Sequence, residues 1–297
     1  MNTTTIEWVQ RPGTKGFTWN PIRARLVKDG RPRTGTQSNG KSVHSGTFCT
    51  RISPGCKNCY ASVINKRFGT GLPFEVPHLA EHEFFIDQRI LEEPLRRKKP
   101  ATIFVGDMFD LFHEAITNEL IAEVFHVIAR SQQHVFQVLT KRTDRMHDWM
   151  AIAASGVNIP SIRIKLQFHW PMSHVWIGTS VESQKYADER IPLLLNTPAA
   201  VRFLSVEPLL ERVDLTPFLR GIDWVICGGE SGPGARQFNI KWATDLMKQC
   251  SEQGAKFFMK QVGSNCWLGQ FPVYSVTRKG GKMDDWPVWL RVREFPA

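Results

Sequence analysis

The chain is short of acidic residues, of cysteine outside one segment, and of long apolar runs. Asp and Glu number 28 against 38 Lys and Arg, which leaves a formal net charge of +10. That deficit favours a polyanionic partner, a nucleic acid or nucleotide substrate, through counterion release and long-range steering. No window approaches the run of about eighteen apolar residues that a membrane span needs. The stretch Met1-Asn-Thr-Thr-Thr-Ile-Glu7-Trp8 lacks a basic region followed by an apolar one, so it does not read as a signal peptide. A cytoplasmic protein with no membrane association is expected. Internal repeats of solenoid type and low-complexity tracts are also missing, so a solenoid is not expected. One domain over residues 1–297 is expected, with 1–48 as an N-terminal extension carrying a basic loop and 267–297 as a C-terminal strap.

Three of the six cysteines fall together in Cys49-Thr-Arg-Ile-Ser-Pro-Gly-Cys56-Lys-Asn-Cys59-Tyr60. The spacing is C-x6-C-x2-C on a Pro-Gly turn. Pairing two of them as a disulfide leaves the third over, and nothing directs the chain to an oxidising compartment. Two thiolates separated by two residues can chelate one metal centre, and Pro54-Gly55 lets the first thiolate join them. Structural zinc takes four ligands, and neither His44 nor His78 completes a zinc-finger spacing. Three cysteines on one loop suit a [4Fe–4S] cluster with one iron left open, with Zn2+ as the alternative. Cys227 and Cys266 are candidates for a fourth ligand, whereas Cys250 lies on a helical stripe and reads as core.

Beyond the cysteines, Tyr60 to Arg67 reads as a helix and Asp87 to about Arg97 as another. Short apolar runs then recur: Ala101–Val105, Val135–Leu139, Val175–Ile177, Val201–Leu204, Trp224–Cys227 and Lys256–Met259. Amphipathic patterns lie between most of them, as in Asn118 to Arg130 and Trp242 to Gln253. Alternating buried strands and helices imply an α/β fold with a parallel sheet, a complete or partial (β/α) TIM-type barrel with the cysteine loop near its N-terminus. A doubly wound open sheet is the alternative. The stretch from Val27 to Lys41 reads as a basic excursion. Val273–Thr277 and Trp286–Arg293 read as a hairpin or extended strap covering one end of the barrel.

Each apolar run is followed by small, polar or charged residues: Gly106-Asp107-Met108, Thr140-Lys141-Arg142, Ser180-Val181-Glu182, Ser205-Val206-Glu207, Gly228-Gly229-Glu230 and Lys260-Gln261. In parallel α/β architectures the carboxyl ends of strands converge on one face, where sites are built. Lys141, Glu207 and Glu230 are the candidate catalytic residues on this reading. Asp107, Asp110, Glu182 and Glu207 would instead be the hard-cation ligands of a metal-dependent nuclease, a third reading that leaves the cysteines unexplained.

The segments Thr18–Pro21, Ser53–Tyr60, Phe104–Gly106 with Asp110–His113, Leu139–Arg142, Gly178–Glu182, Leu204–Leu209, Gly228–Gly232 and Phe257–Gly263 together resemble a phage-associated three-Cys-motif family of unknown function. That family is similar to the radical S-adenosylmethionine (SAM) enzymes, whose usual motif is C-x3-C-x2-C. The resemblance implies a [4Fe–4S] cluster on Cys49, Cys56 and Cys59, S-adenosylmethionine on the open iron, and an external electron donor. It places Gly106, Asp107 and Met108 at the SAM amino group and Lys141 at its carboxylate. Ser180, Glu182, Ser205 and Glu207 would meet the ribose hydroxyls, Gly228 and Gly229 the adenosine, and Tyr60 would pack beside the cluster.

Overall fold

A computed structural model describes residues 1–32, 45–156, 169–273 and 279–296. The chain opens with β1 (Asn2–Thr3), β2 (Lys15–Trp19), β3 (Ile22–Lys28) and β4 (Arg31–Pro32). After the cysteines come α1 (Tyr60–Phe68), β5 (His82–Ile86) and two short helices, α2 (Gln88–Leu91) and α3 (Glu93–Arg96). A βα series follows: β6 (Ala101–Val105), α4 (Asn118–Arg130), β7 (Val135–Thr140), α5 (Thr143–Ala154), β8 (Val175–Ser180), α6 (Gln184–Leu195), β9 (Val201–Val206) and β10 (Trp224–Gly228). It continues through β11 (Phe238–Asn239), α7 (Ile240–Gln253) and β12 (Lys256–Gln261) to the pair β13 (Cys266–Leu268) and β14 (Phe271–Pro272).

The main sheet has eight strands in the order β1-β2-β6-β7-β8-β9-β10-β12. Every neighbouring pair except β1 with β2 is parallel. Strand residues alternate between two apolar layers, as a period of two requires. Ile103, Val105, Phe136, Val138, Ile177, Leu204, Val225 and Phe257 pack with the helices. Phe104, Trp176, Phe203, Trp224, Ile226 and Phe258 point the other way and close around Trp8 and Val9. The Trp8 ring lies 4.7 Å from Phe104 on β6 and 6.1 Å from Phe203 on β9. On a flat sheet those strands would be about 14 Å apart, so the sheet is curled around the Trp8 plug. The result is a mixed α/β half-barrel rather than a doubly wound sheet, which would carry helices on both faces.

The sheet order ends at β1 and β12; the N-terminal β1 caps β2 as a short edge strand, and the C-terminal segment covers β12. On the far side, Met259 N–H donates to Val292 O and Glu294 N–H to Phe257 O, so the C-terminal segment runs along β12. Such cover protects strand edges from pairing with other chains. Within this segment Val288–Leu290 is a 3-10 turn, correcting the extended reading of Trp286–Arg293.

The N-terminal part is no extension. β2 pairs in parallel with β6 over its whole length and belongs to the sheet. Val27 to Pro32 forms a hairpin, with Lys28 opposite Arg31 and positive φ at Asp29 and Gly30, the combination a tight two-residue turn requires. The remainder of the expected basic excursion, 33–41, lies outside the described residues, as do 274–277 of the expected strap. The helix expected over Asp87–Arg97 is divided into α2 and α3, with Pro94 near the start of the second. No helix among the described residues is long and apolar enough to cross a membrane.

Candidate functional site

The inner face of the half-barrel changes character along each strand. Its amino-terminal half carries the aromatic layer around Trp8. At the carboxyl ends the inward series continues as Gly106, Leu139, Ser180, Ser205, Gly228 and Lys260, so the mouth is polar where the floor is apolar.

The cysteine loop sits over this mouth. Pro54–Cys56 forms a 3-10 turn and Cys59 occupies the N-cap position of α1. Cys49 and Cys59 pack with Met108 against a small cluster of Ala24, Phe48, Ala61 and Phe74. Four strand ends hold the loop. Gly55 N–H donates to Glu182 Oε1 at 3.2 Å. Arg236 Nη1 donates to Pro54 O at 2.9 Å, and Asn58 Nδ2 to Glu230 Oε2 at 2.8 Å. Tyr60 Oη donates to Asp107 O at 2.7 Å. From the β7 end, Arg142 Nη1 approaches Cys49 Sγ at 3.6 Å.

The expected site residues divide into two groups. Glu182 and Glu230 are fully engaged with the protein. Glu182 pairs with Arg190 at 3.0 Å besides holding Gly55. Glu230 accepts from Arg236 Nη2 at 2.6 Å and Nε at 3.1 Å. Burial opposes its ionisation, but the Arg236 and Asn58 hydrogen bonds hold its pKa below the ordinary carboxylate value. Both acids therefore fix the loop.

The second group lines the mouth. Glu207 pairs with Lys260 at 3.0 Å, and Ser205 Oγ reaches its other oxygen at 3.5 Å. Gly228 makes room for that carboxylate, because a Cβ there would lie 2.5 Å from Glu207 Oε1. Gly229 is equally confined, with a Cβ position 2.5 Å from Val262 O. Ser180 lies opposite Ser205 in register. Across the mouth, Gly106 has φ of +76° and its N–H donates to Trp19 O. Asp107 Oδ1 accepts from Asn20 Nδ2 at 2.7 Å, while Asn20 Oδ1 accepts the Met108 N–H. Burial raises the Asp107 pKa against the hydrogen bonds from Asn20 and Thr18. The Tyr60 ring keeps 51 % of its surface exposed. Desolvation first, and the charges of Asp107, Cys59 and Glu207 next, raise its pKa above the ordinary value. Lys141 is half-buried, and its backbone N–H donates to Asp110 Oδ2 at 3.0 Å.

The thiols suit a metal centre in chemistry. All three are free and partly exposed, and they share one electrostatic neighbourhood. Burial pushes the Cys49 thiol up to about 12, against the downward pull of Arg142, and the charges of Asp110, Cys59 and Cys56 add to the rise. A cation supplied from outside would reverse that penalty. Among the described residues no group of three or more His, Cys, Asp or Glu side chains is gathered to hold a single ion. Cys227 and Cys266, the possible fourth ligands, lie with Cys250 in the helix-packed core. Three of the four hard-cation candidates do not stand free either: Asp110 faces Arg142, Glu182 faces Arg190, and Glu207 faces Lys260, while Asp107 is hydrogen-bonded by Asn20.

Several residues of the site are absent from the expected set, namely Asn20, Thr50, Asn58, Glu114, Arg142, Arg190 and Arg236. Arg142 directly follows a strand end, which is a signal the sequence offered. Asn58 and Arg236 act through partners remote in the chain and carried none.

Fold and site together define an α/β half-barrel protein with a three-cysteine loop seated on the carboxyl ends of its parallel strands. Residues 39–286 match the family described as "Protein of unknown function (DUF5131)", and the chain belongs to that family. No curated protein and no solved structure matched the chain.

Proposed function

We propose that this protein is a radical SAM-like iron–sulfur enzyme acting on a nucleic acid or nucleotide. Cys49, Cys56 and Cys59 would hold a [4Fe–4S] cluster, and S-adenosylmethionine would occupy the polar mouth beneath them. The observation that carries this reading is the seating of the cysteine loop on that mouth through Glu182, Glu230, Arg236 and Tyr60. When bound, the cluster would supply one-electron reducing chemistry, drawn from an external electron donor, toward S-adenosylmethionine held in the mouth, with methionine and 5′-deoxyadenosine as the expected products.

The chain's own part is to bind, orient and exclude water. Glu207, steadied by Lys260, and Ser205 offer acceptor and donor groups suited to ribose hydroxyls. Gly228 brings backbone close to that carboxylate, and Gly229 packs its backbone against Val262 O; both are candidates for the adenosine. Asp107, fixed by Asn20, presents an acceptor on the opposite side, where an ammonium group would bind, and Lys141 is a candidate for a carboxylate. Tyr60 covers the cysteine side of the mouth. The aromatic floor around Trp8 closes the other end to water.

A single zinc ion without catalysis is less well supported, because structural zinc takes four ligands and the loop supplies three cysteines. The net charge of +10 supports a polyanionic substrate.

Anaerobic purification followed by iron, sulfide and zinc analysis tests the cofactor. The expected product of reduction with S-adenosylmethionine is 5′-deoxyadenosine, and C56A should lose both cluster and product. A colourless protein holding zinc and no iron after reconstitution would overturn the reading.

A further inference from the structure

One buried cation beside the cysteines is not used by the reading above. Arg142 follows β7, and its side chain is 7 % exposed. All five of its N–H groups are placed. Nε donates to Glu114 Oε2 at 2.6 Å. Nη1 donates to Asp110 Oδ2 at 3.1 Å and lies 3.6 Å from Cys49 Sγ. Nη2 donates to Thr50 Oγ1 at 2.7 Å and to Thr50 O at 3.3 Å. A planar fork with five donors meets such a set where a lysine could not.

Its acceptors are themselves fixed. Asp110 takes hydrogen bonds from Thr140 Oγ1 at 2.6 Å and from the Lys141 and Phe112 N–H groups. Thr50 Oγ1 donates to Glu114 Oε1 at 3.1 Å and lies 3.0 Å from His113 Nε2. His113 Nδ1 accepts the Ala115 N–H, so the hydrogen of the neutral ring belongs on Nε2 and points to Thr50. Glu114 keeps 55 % of its side chain exposed, so of the two counter-charges Asp110 is the dry one. The guanidinium is therefore a rigid positive charge with one N–H directed at a single cysteine sulfur.

We propose that Arg142 is a positioning residue for the cluster reading above, holding Cys49 by an N–H···S hydrogen bond and raising the cluster's electron affinity. Hydrogen bonds to cluster sulfurs and nearby net charge are levers on reduction potential. A fixed cation favours the reduced, more negative state. Glu114 moderates that effect because it offsets the guanidinium charge.

The test uses the full chain, reconstituted anaerobically as wild type, Arg142→Gln and Glu114→Gln. Iron and sulfide per chain are measured together with the midpoint potential by EPR-monitored titration. R142Q should shift the oxidised-to-reduced equilibrium at least tenfold toward oxidised, a fall of about 59 mV for one electron. E114Q should shift it the opposite way, because the guanidinium loses a counter-charge while keeping its place. Opposite signs are not expected of a residue that only supports the fold. Loaded variants whose potentials equal the wild type's would overturn the inference while leaving the cluster reading intact. The inference also fails if R142Q takes up no cluster and E114Q shows no shift, since Arg142 would then be a prop alone. A wild type that takes up no iron removes the cluster reading itself, and the inference with it.

Discussion

Glu182 allows the attachment of the cysteine loop to be tested with a magnitude. The residue has no solvent exposure, and its ion-pair partner Arg190 keeps only 7 % of its side-chain surface. Removing one partner of a buried pair strands the other charge and costs about 3–5 kcal/mol. In E182A the guanidinium of Arg190 would retain its hydrogen bond to Ser180 O at 2.8 Å and its place over the Tyr186 ring at 4.2 Å. Those contacts put the expected loss near the lower end, about 3 kcal/mol. E182Q keeps the volume and an acceptor for Gly55 N–H, so it should lose less than E182A. Combining E182Q with R190M should also cost less than E182A, because no unpaired charge remains. Urea denaturation at unchanged slope measures these differences. Limited proteolysis between residues 50 and 58 reports whether the cysteine loop has come away from β8. An E182A protein within about 0.5 kcal/mol of wild type, the range of an ordinary surface substitution, would refute the reasoning.

Two further outcomes follow from buried side chains. Burial first, and the Arg142 charge second, push the pKa of His113 down to about 4. The unfolded chain takes up this proton near pH 6.5 and the folded chain does not until about pH 4, so stability is full above that window and falls as pH drops through it. The loss is about 3 kcal/mol in all, and His113→Asn should flatten the urea midpoint between pH 6.5 and 4.5; an unchanged slope would contradict the buried neutral ring. Trp8 is 2 % exposed and joins β6, β9 and β10 through ring contacts with Phe104, Phe203 and Trp224. Trp8→Ala should cost about 3–5 kcal/mol in thermal or urea unfolding, whereas a loss under about 1 kcal/mol would mean that the curl of the sheet does not depend on the plug.

The parts of the fold written locally in the sequence are the parts that could be read there. Helix α4 was legible to its end residues because its apolar stripe begins after Thr117, whose hydroxyl accepts the Leu120 N–H. The six later strands were found by their apolar runs, but each reading after the first stopped one to three residues early. The physical reason is the site itself: Ser180, Ser205, Gly228 and Lys260 are strand residues that turn small or polar because the sheet opens into the mouth there, while Thr140 on the other face of β7 is polar because it donates to Asp110. One or two further strands are expected nearer the cysteines, but β2 could not be located because Lys15-Gly-Phe-Thr-Trp19 has too short an apolar pattern, and its partner β6 lies far along the chain. The cysteines were conspicuous because a rare residue type recurs within one turn. Their attachments were not, since Gly55 and Glu182 are 127 positions apart and Pro54 and Arg236 are 182 apart.

The counter-charges of the strand-end acids were the part of the site that single residues did not disclose. Strand-end acids were expected to meet substrate, but a carboxylate in a dry mouth needs a counter-charge. Glu182 found Arg190, Glu230 found Arg236, and Glu207 found Lys260. Such pairs cancel, while Arg142 faces two carboxylates, Asp110 and Glu114. These paired groups therefore carry none of the excess of 38 basic over 28 acidic residues. Four basic against five acidic side chains leave these groups at −1, so the rest of the chain carries a surplus of +11, where a polyanion can meet it without entering the cysteine-covered mouth. Salt-dependent binding should then survive E207Q and K260M, since neither side chain belongs to the basic surface. If those changes abolished nucleic-acid binding altogether, the separation of surface attraction from the chemistry of the mouth would be wrong.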